Sequence, residues 1–241
     1  MRVSDLFSLK FSGSKVEIDF TPGVDPARRR EIVEGPMRGL SLYADGCFVL
    51  HGSCVCVDGF VISIVGAPGA GKSTLAASLC ERGAALVSDG MTPIRPDSLS
   101  VVSGPPLTKL NDESLRLMRV EPSEFLLVHP SSTKRYFPVR GILDQDAFPS
   151  DEPYRIRAVY IVEDSDLCGV SALGGARSLI ALVSNAYMVS CLPPEHSSIL
   201  MQRAAALINN GVQVKALRRR KEPGELPRII ECIERAASGL H

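Results

Sequence analysis

The residues best placed to do chemistry form one short stretch: Gly66, Ala67, Pro68, Gly69, Ala70, Gly71, Lys72, Ser73 and Thr74. Their spacing is G-x-x-x-x-G-K-S, that of a phosphate-binding P-loop. Glycines let consecutive backbone N–H groups turn inward around an anion, where a Cβ would obstruct them. The helix expected to follow adds its own unpaired N–H groups and the positive end of its dipole. On this pattern residues 66–74 cradle the phosphates of a nucleotide, Lys72 reaches the β- and γ-phosphates, and the Ser73 hydroxyl ligates Mg²⁺. A glycine-rich turn without a ligand would leave a lysine at its tip with nothing to pack against.

Other side chains with chemical potential lie on either side. His51 sits between two short β runs, where a single histidine is either a structural residue or part of the site. Asp89 ends the apolar run Ala84–Ser88, expected as a strand beside the P-loop strand. An acidic residue at such a strand end faces the ligand crevice of an open α/β sheet, to hold Mg²⁺ or act as a base. Asp89-Gly90 is also ordinary turn chemistry. Glu163 and Asp164, closing the run Ala158–Val162, are rival acids. Lys134 and Arg135 place two adjacent cations before an extended segment, as a solvated loop or as a phosphate clamp.

These groups need elements to hold them. Phe60–Val65 reads as a buried strand leading into the loop, and Leu75, Ala76, Leu79 and Cys80 recur at helical spacing after it. Gly83 stands where a helix C′ residue belongs. Cys47–Leu50 and Ser53–Val57 are short β runs, with Asp58-Gly59 as a hairpin turn. Residues 1–40 read as a small β-rich lead-in: Val16–Phe20 alternates as a strand, then Pro22, Pro26 and Pro36 break the pattern. Residues 91–155 look irregular apart from a short helix capped near Asn111 and a strand at Phe125–Val128. Residues 141–155, with Asp144, Asp146, Asp151 and Glu152, resemble a mobile connection. Helices are expected over 176–189, from Pro194 to about Asn210, and over 223–237, with a strand at 212–217. This pattern predicts an α/β fold divided into a lead-in (1–40) and a P-loop domain (41–241).

At 241 residues with 45% hydrophobic content the chain can bury a substantial core. Its 27 basic and 27 acidic residues cancel, which argues against nucleic-acid or membrane-surface partners. Arg218–Lys221 reads as a solvated face at a strand end. The seven cysteines show no C-x-x-C pair, and Cys54 and Cys56 point to one face of a strand as packing residues. Met1–Asp5 lacks a secretion-type apolar stretch, and no apolar run approaches the roughly 20 residues of a membrane helix. A cytoplasmic location follows as an expectation, and self-association into a homo-oligomer is left open.

Taken together, His51-Gly52, the loop Gly66–Ser73, the helix end Glu81-Arg82-Gly83 and the strand Leu86-Val87-Ser88-Asp89 resemble the core of the HPr kinase/phosphorylase family. They look closest to its short members that accompany lasso-peptide and other ribosomal-peptide gene clusters. The resemblance covers roughly residues 46–95 and implies an HPr-kinase/PEP-carboxykinase-like domain using ATP and Mg²⁺ to phosphorylate a serine hydroxyl of a peptide or small protein. By this resemblance Asp89 is the base and, with Ser73, the metal site. His51 orients or tunes Asp89, and Lys134 and Arg135 stabilise the transferred charge. Two positions depart from the family pattern: Gly90 replaces a second aspartate, and Pro138-Val139-Arg140-Gly141 keeps only the Arg-Gly of a Glu-x-Arg-Gly signature. The first implies weakened catalysis or a rearranged metal site. The second argues against phosphorylase activity and against HPr as substrate. A small-metabolite kinase and a catalytically weakened nucleotide-binding module are the alternatives.

Overall fold

The computed structural model describes residues 2–12, 15–142, 154–192 and 196–239. An antiparallel meander of β1 (Arg2–Ser4), β2 (Phe7–Ser12) and β3 (Lys15–Phe20) opens the chain. Asp25 caps α1 (Pro26–Ile32) by accepting from the Ala27 and Arg28 amides. Pro36 does not end the helical path as its type suggests. It lies in a π-helical turn, Val33–Met37, that delivers the chain into α2 (Arg38–Ala44). The wider turn interrupts the i→i−4 ladder where proline has no N–H to give. Phe7, Leu9, Ile32 and Leu40 form a small core of their own, so the division expected at residue 40 falls inside α2.

Next come β4 (Phe48–Leu50), β5 (Gly52–Val57) and β6 (Phe60–Val65), the last two joined by a tight turn with Asp58 at φ 49° and Gly59 at φ 84°. The P-loop leads into α3 (Lys72–Glu81), followed by β7 (Ala85–Ser88) and β8 (Thr92–Ile94). The 91–155 region is more ordered than its prolines suggest. It contains β9 (Leu107–Asn111), α4 (Asp112–Leu117), capped by the Asn111 side chain, and β10 (Lys134–Pro138). No strand forms at Phe125–Val128, where a single bridge joins Leu127 to Arg135. The Phe125 ring instead packs edge-on against Phe137, and Leu126 is exposed. Most of the acidic connection, residues 143–153, lies outside the described residues.

The remainder is β11 (Ile156–Asp164), β12 (Gly169–Ala172), α5 (Gly175–Ser184), α6 (His196–Asn209), β13 (Gln213–Arg219) and α7 (Leu226–Ser238). Helix α5 stops at Ser184, short of the expected residue 189, because Tyr187 is drawn away by a backbone bond to Val49. The Pro194-Glu195 helix start expected from sequence lies outside the described residues.

Six strands form the main sheet in the order β12-β13-β11-β6-β5-β7. Strands β13, β11 and β6 are parallel neighbours, whereas β12 and β5 run against theirs. Strand β7 is therefore not beside the P-loop strand, as sequence suggested. The two-residue turn folds β5 back onto β6, and β7 pairs with the far edge of β5. Helices cover both faces. On one, Ile62, Ile64 and Tyr160 pack against Leu75 and Leu79 of α3 and Ile229, Ile230 and Ile233 of α7. On the other, Val61, Val65, Val159 and Ile161 pack against Leu182, Leu200 and Leu207. This alternation is the period-2 signature of strands buried on both faces. Cys47, Cys54, Cys56 and Cys80 are buried and free, as packing residues should be.

Ile233 of α7 is fully buried in the apolar cluster that α7 and α3 form with the sheet. Its replacement, Ile233→Ala, should cost about 2–5 kcal/mol. Urea unfolding should show a lower midpoint at unchanged slope.

Candidate active site

The loop after β6 runs directly into α3. Gly71, at φ 80°, is the left-handed N-cap of α3, and a Cβ there would meet nothing within 4 Å. The position needs glycine for its backbone, and the space beside it is open. Lys72 is nearly buried and turns back on the loop, donating to Gly66 O at 2.8 Å and Ala67 O at 3.1 Å. Burial, with Lys134 nearby, lowers its pKa, while Asp89 opposes the shift. Thr74 donates to Ser114 at 2.8 Å, tying the start of α3 to α4.

Asp89 lies just past β7 and gathers donors from three other elements. Its Oδ1 accepts from Ser53 of β5 at 2.5 Å and from Ser73 of α3 at 2.9 Å. Its Oδ2 accepts the Lys109 amide of β9 at 3.2 Å. An ionised carboxylate only accepts, so both hydroxyls donate to Oδ1, and Oδ2 keeps the spare lone pair. The structure thus joins Asp89 to Ser73, the pair expected at the metal, even though β5 separates their strands. Gly90 has φ 78°, a conformation that side chains adopt at a cost. A second aspartate would be strained there.

His51 lines the same cleft. Among the described residues no hydrogen bond joins it to Asp89. Its amide donates to Asn185 O at 2.8 Å and its ring meets Tyr187 edge-on, 5.7 Å between centroids. The side chain that reaches Asp89 from β5 is Ser53. Burial is the main cause of a lowered His51 pKa, with Lys72 and Lys134 adding to it and Asp89 opposing.

Lys134 and Arg135 separate. Strand β10 alternates, sending Lys134 and Tyr136 to the cleft while Phe137 enters an apolar cluster. Arg135 is absorbed by Asp112 Oδ1 and Phe125 O, each at 2.8 Å, and does not line the cleft. Glu163 and Asp164 stay out of it too, paired with Arg218 at 3.6 Å and Arg219 at 3.5 Å. Ser53 and the Lys109 amide are the functional groups that sequence reading missed. Ser53 carried a usable signal, a hydroxyl within the uniformly buried strand β5.

The cleft holds about 970 Å³ and takes in His51, Lys72, Ser73, Asp89, Lys134 and Tyr187, with Arg30 and Arg38 reaching it from α1 and α2. The cations Lys72, Lys109, Lys134, Arg30 and Arg38 outnumber Asp89 and Glu34, as suits a polyphosphate. Among the described residues no group of three or more His, Cys, Asp or Glu could hold a metal by itself. Ser73 and Asp89 are the hard oxygen donors that suit Mg²⁺ when phosphates complete its shell. No described helix is long and apolar enough to cross a membrane.

No family model matches the chain, and no curated protein does. Among solved structures it is similar to the HPr(Ser) kinase/phosphatase from Coxiella burnetii, with a TM-score of 0.40 and 13% identity. The match covers 80% of this chain and 92% of that one. The functional reading of the cleft therefore rests on its own geometry.

The lowered pKa of His51 gives a pH test. The folded chain holds the imidazole neutral below the ordinary value of 6.5, whereas the unfolded chain protonates there. Unfolding then takes up a proton, so this residue makes stability fall as pH drops below 6.5. His51→Gln should flatten that fall in urea unfolding between pH 7 and pH 5. An unchanged pH slope would show that the imidazole protonates freely in the folded chain.

Proposed function

We propose that the chain is an ATP-dependent phosphotransferase that moves the γ-phosphoryl group to a serine hydroxyl of a peptide or small protein. The observation that carries this reading is the Asp89 carboxylate, held against the P-loop serine by Oδ1 with a lone pair spare on Oδ2. The 66–73 backbone amides and Lys72 bind the triphosphate, Lys72 exchanging its loop carbonyls for phosphate oxygens. Ser73 and Asp89 hold Mg²⁺, which when bound neutralises charge on the phosphates. Asp89 Oδ2 accepts the proton of the acceptor hydroxyl as the serine oxygen bonds to the γ-phosphorus. The bond from that phosphorus to the bridging oxygen breaks, and ADP leaves with the electron pair. Lys134 adds positive charge where the transferred group passes.

A small-metabolite acceptor is the second reading, favoured by α1, α2 and the segment around Ser103–Leu107, which wall the cleft. Incubation with ATP and Mg²⁺ separates the two. Serine peptides, including lasso-type precursor peptides, should gain about 80 Da, the mass of one phosphoryl group. A shift confined to metabolites would favour the second reading, and ATP binding with no transfer or hydrolysis would support a nucleotide-binding module.

Three variants dissect the site. Lys72→Ala should weaken ATP binding, read by calorimetry. Asp89→Asn should retain ATP but lower kcat by roughly 10²–10⁴-fold, the usual worth of a positioned base. Ser53→Ala should lower kcat to a lesser degree at unchanged ATP affinity. Normal turnover by Asp89→Asn would remove Asp89 as the base.

A further inference from the structure

The Arg218–Lys221 run takes no part in the cleft, yet its second residue does not lie on a solvated face. Arg219 ends β13 and is only 6% exposed. It stands opposite Asp164 in the parallel pair with β11, two strands from the P-loop strand. Its Nη2 donates to Ala70 O in the P-loop at 2.9 Å and lies 3.5 Å from Asp164 Oδ1. Burying a guanidinium is costly unless it is well paired. The Asp164 side chain is 68% exposed, so solvent screens much of that compensation. A charge kept in this position at such a cost calls for a reason at the loop.

The Ala70 carbonyl and the Gly71 N–H belong to one peptide unit. In a trans peptide they point in opposite directions, and the chain has no cis bond among the described residues. Arg219 draws the carbonyl outward, behind the loop, and thereby turns the Gly71 N–H the other way. A charged donor on the carbonyl also polarises the unit and makes its N–H a stronger donor. Gly71, at φ 80°, follows this peptide and leaves it free to flip unless its carbonyl is held.

We propose that Arg219 is a positioning residue for phosphate binding: from behind the loop it locks the Ala70–Gly71 peptide with its amide aimed into the cradle. Asp164 aims Arg219 in turn. This rests on the reading of the cleft as a nucleotide site. Arg219 does not itself line the cleft, so it acts through Gly71 rather than by touching the phosphates.

Calorimetric titration of the full chain with ATP·Mg²⁺ and with inorganic pyrophosphate tests it. Arg219→Met should weaken both ligands by about 10-fold or more, the usual worth of a charge-assisted hydrogen bond. Arg219→Lys should fall between Arg219→Met and wild type, and Asp164→Asn should lose a few-fold. Wild-type affinity for pyrophosphate in Arg219→Met would overturn the proposal. If circular dichroism shows that variant unfolded, unchanged affinities in both Arg219→Lys and Asp164→Asn overturn it instead. Should the wild type bind neither ligand, the phosphotransferase reading fails by itself. The Gly71 amide resonance of ligand-free, ¹⁵N-labelled wild type and Arg219→Lys still decides the positioning role: a shift supports it, and coincident signals refute it.

Discussion

Everything in the cleft depends on satisfying one carboxylate. Asp89 draws hydroxyls from β5 and α3 and an amide from β9. Removing one partner from a half-buried charge costs more than the net worth of the bond, because the charge is left without solvent or donor. The arrangement therefore constrains four elements at once. Strand β7 must end beside the P-loop helix, β5 must present Ser53 inward, and β9 must bring its backbone across the mouth. The β5–β6 hairpin makes this feasible. Its tight turn inserts β5 between the loop strand and the aspartate strand, so that Ser53 spans the distance the extra strand creates.

The same logic explains the placement of cations. Lys72, buried and short of negative partners, turns onto loop carbonyls, and its charge together with that of Lys134 helps keep His51 neutral. Arg135, one residue from Lys134, is consumed by Asp112 on the opposite face of β10. Strand alternation thus converts two adjacent charges into one cleft-facing cation and one structural tie. On the other flank, Arg219 reaches the back of the P-loop, where its charge acts on the backbone rather than on the cleft surface.

The N-terminal elements are less of an appendage than their composition suggests. Their own apolar cluster holds the meander against α1 and α2, and those helices bring Arg30, Glu34 and Arg38 to the cleft. The π-helical turn at Val33–Met37 makes this reach continuous, carrying a proline where a regular helix would have ended.

Local chemistry was legible in the sequence wherever neighbouring residues alone determine it. The glycine spacing marks the loop between β6 and α3, the apolar periods define those two elements, Asp58-Gly59 defines a hairpin, and Asn111 a helix cap. Those features depend on backbone sterics and on contacts within a few residues. Tertiary structure decided which distant groups meet. Ser53 and the Lys109 amide are chosen to hold Asp89 by sheet order, and sheet order follows from how the whole core packs. The contacts of His51 with Asn185 and Tyr187 likewise come from distant parts of the chain. Arg219 looked solvated because a run of charges carries no record of which member faces inward. That orientation is set by the register of β13 against β11, in which long-range pairing and burial outweigh the local preference of arginine for water.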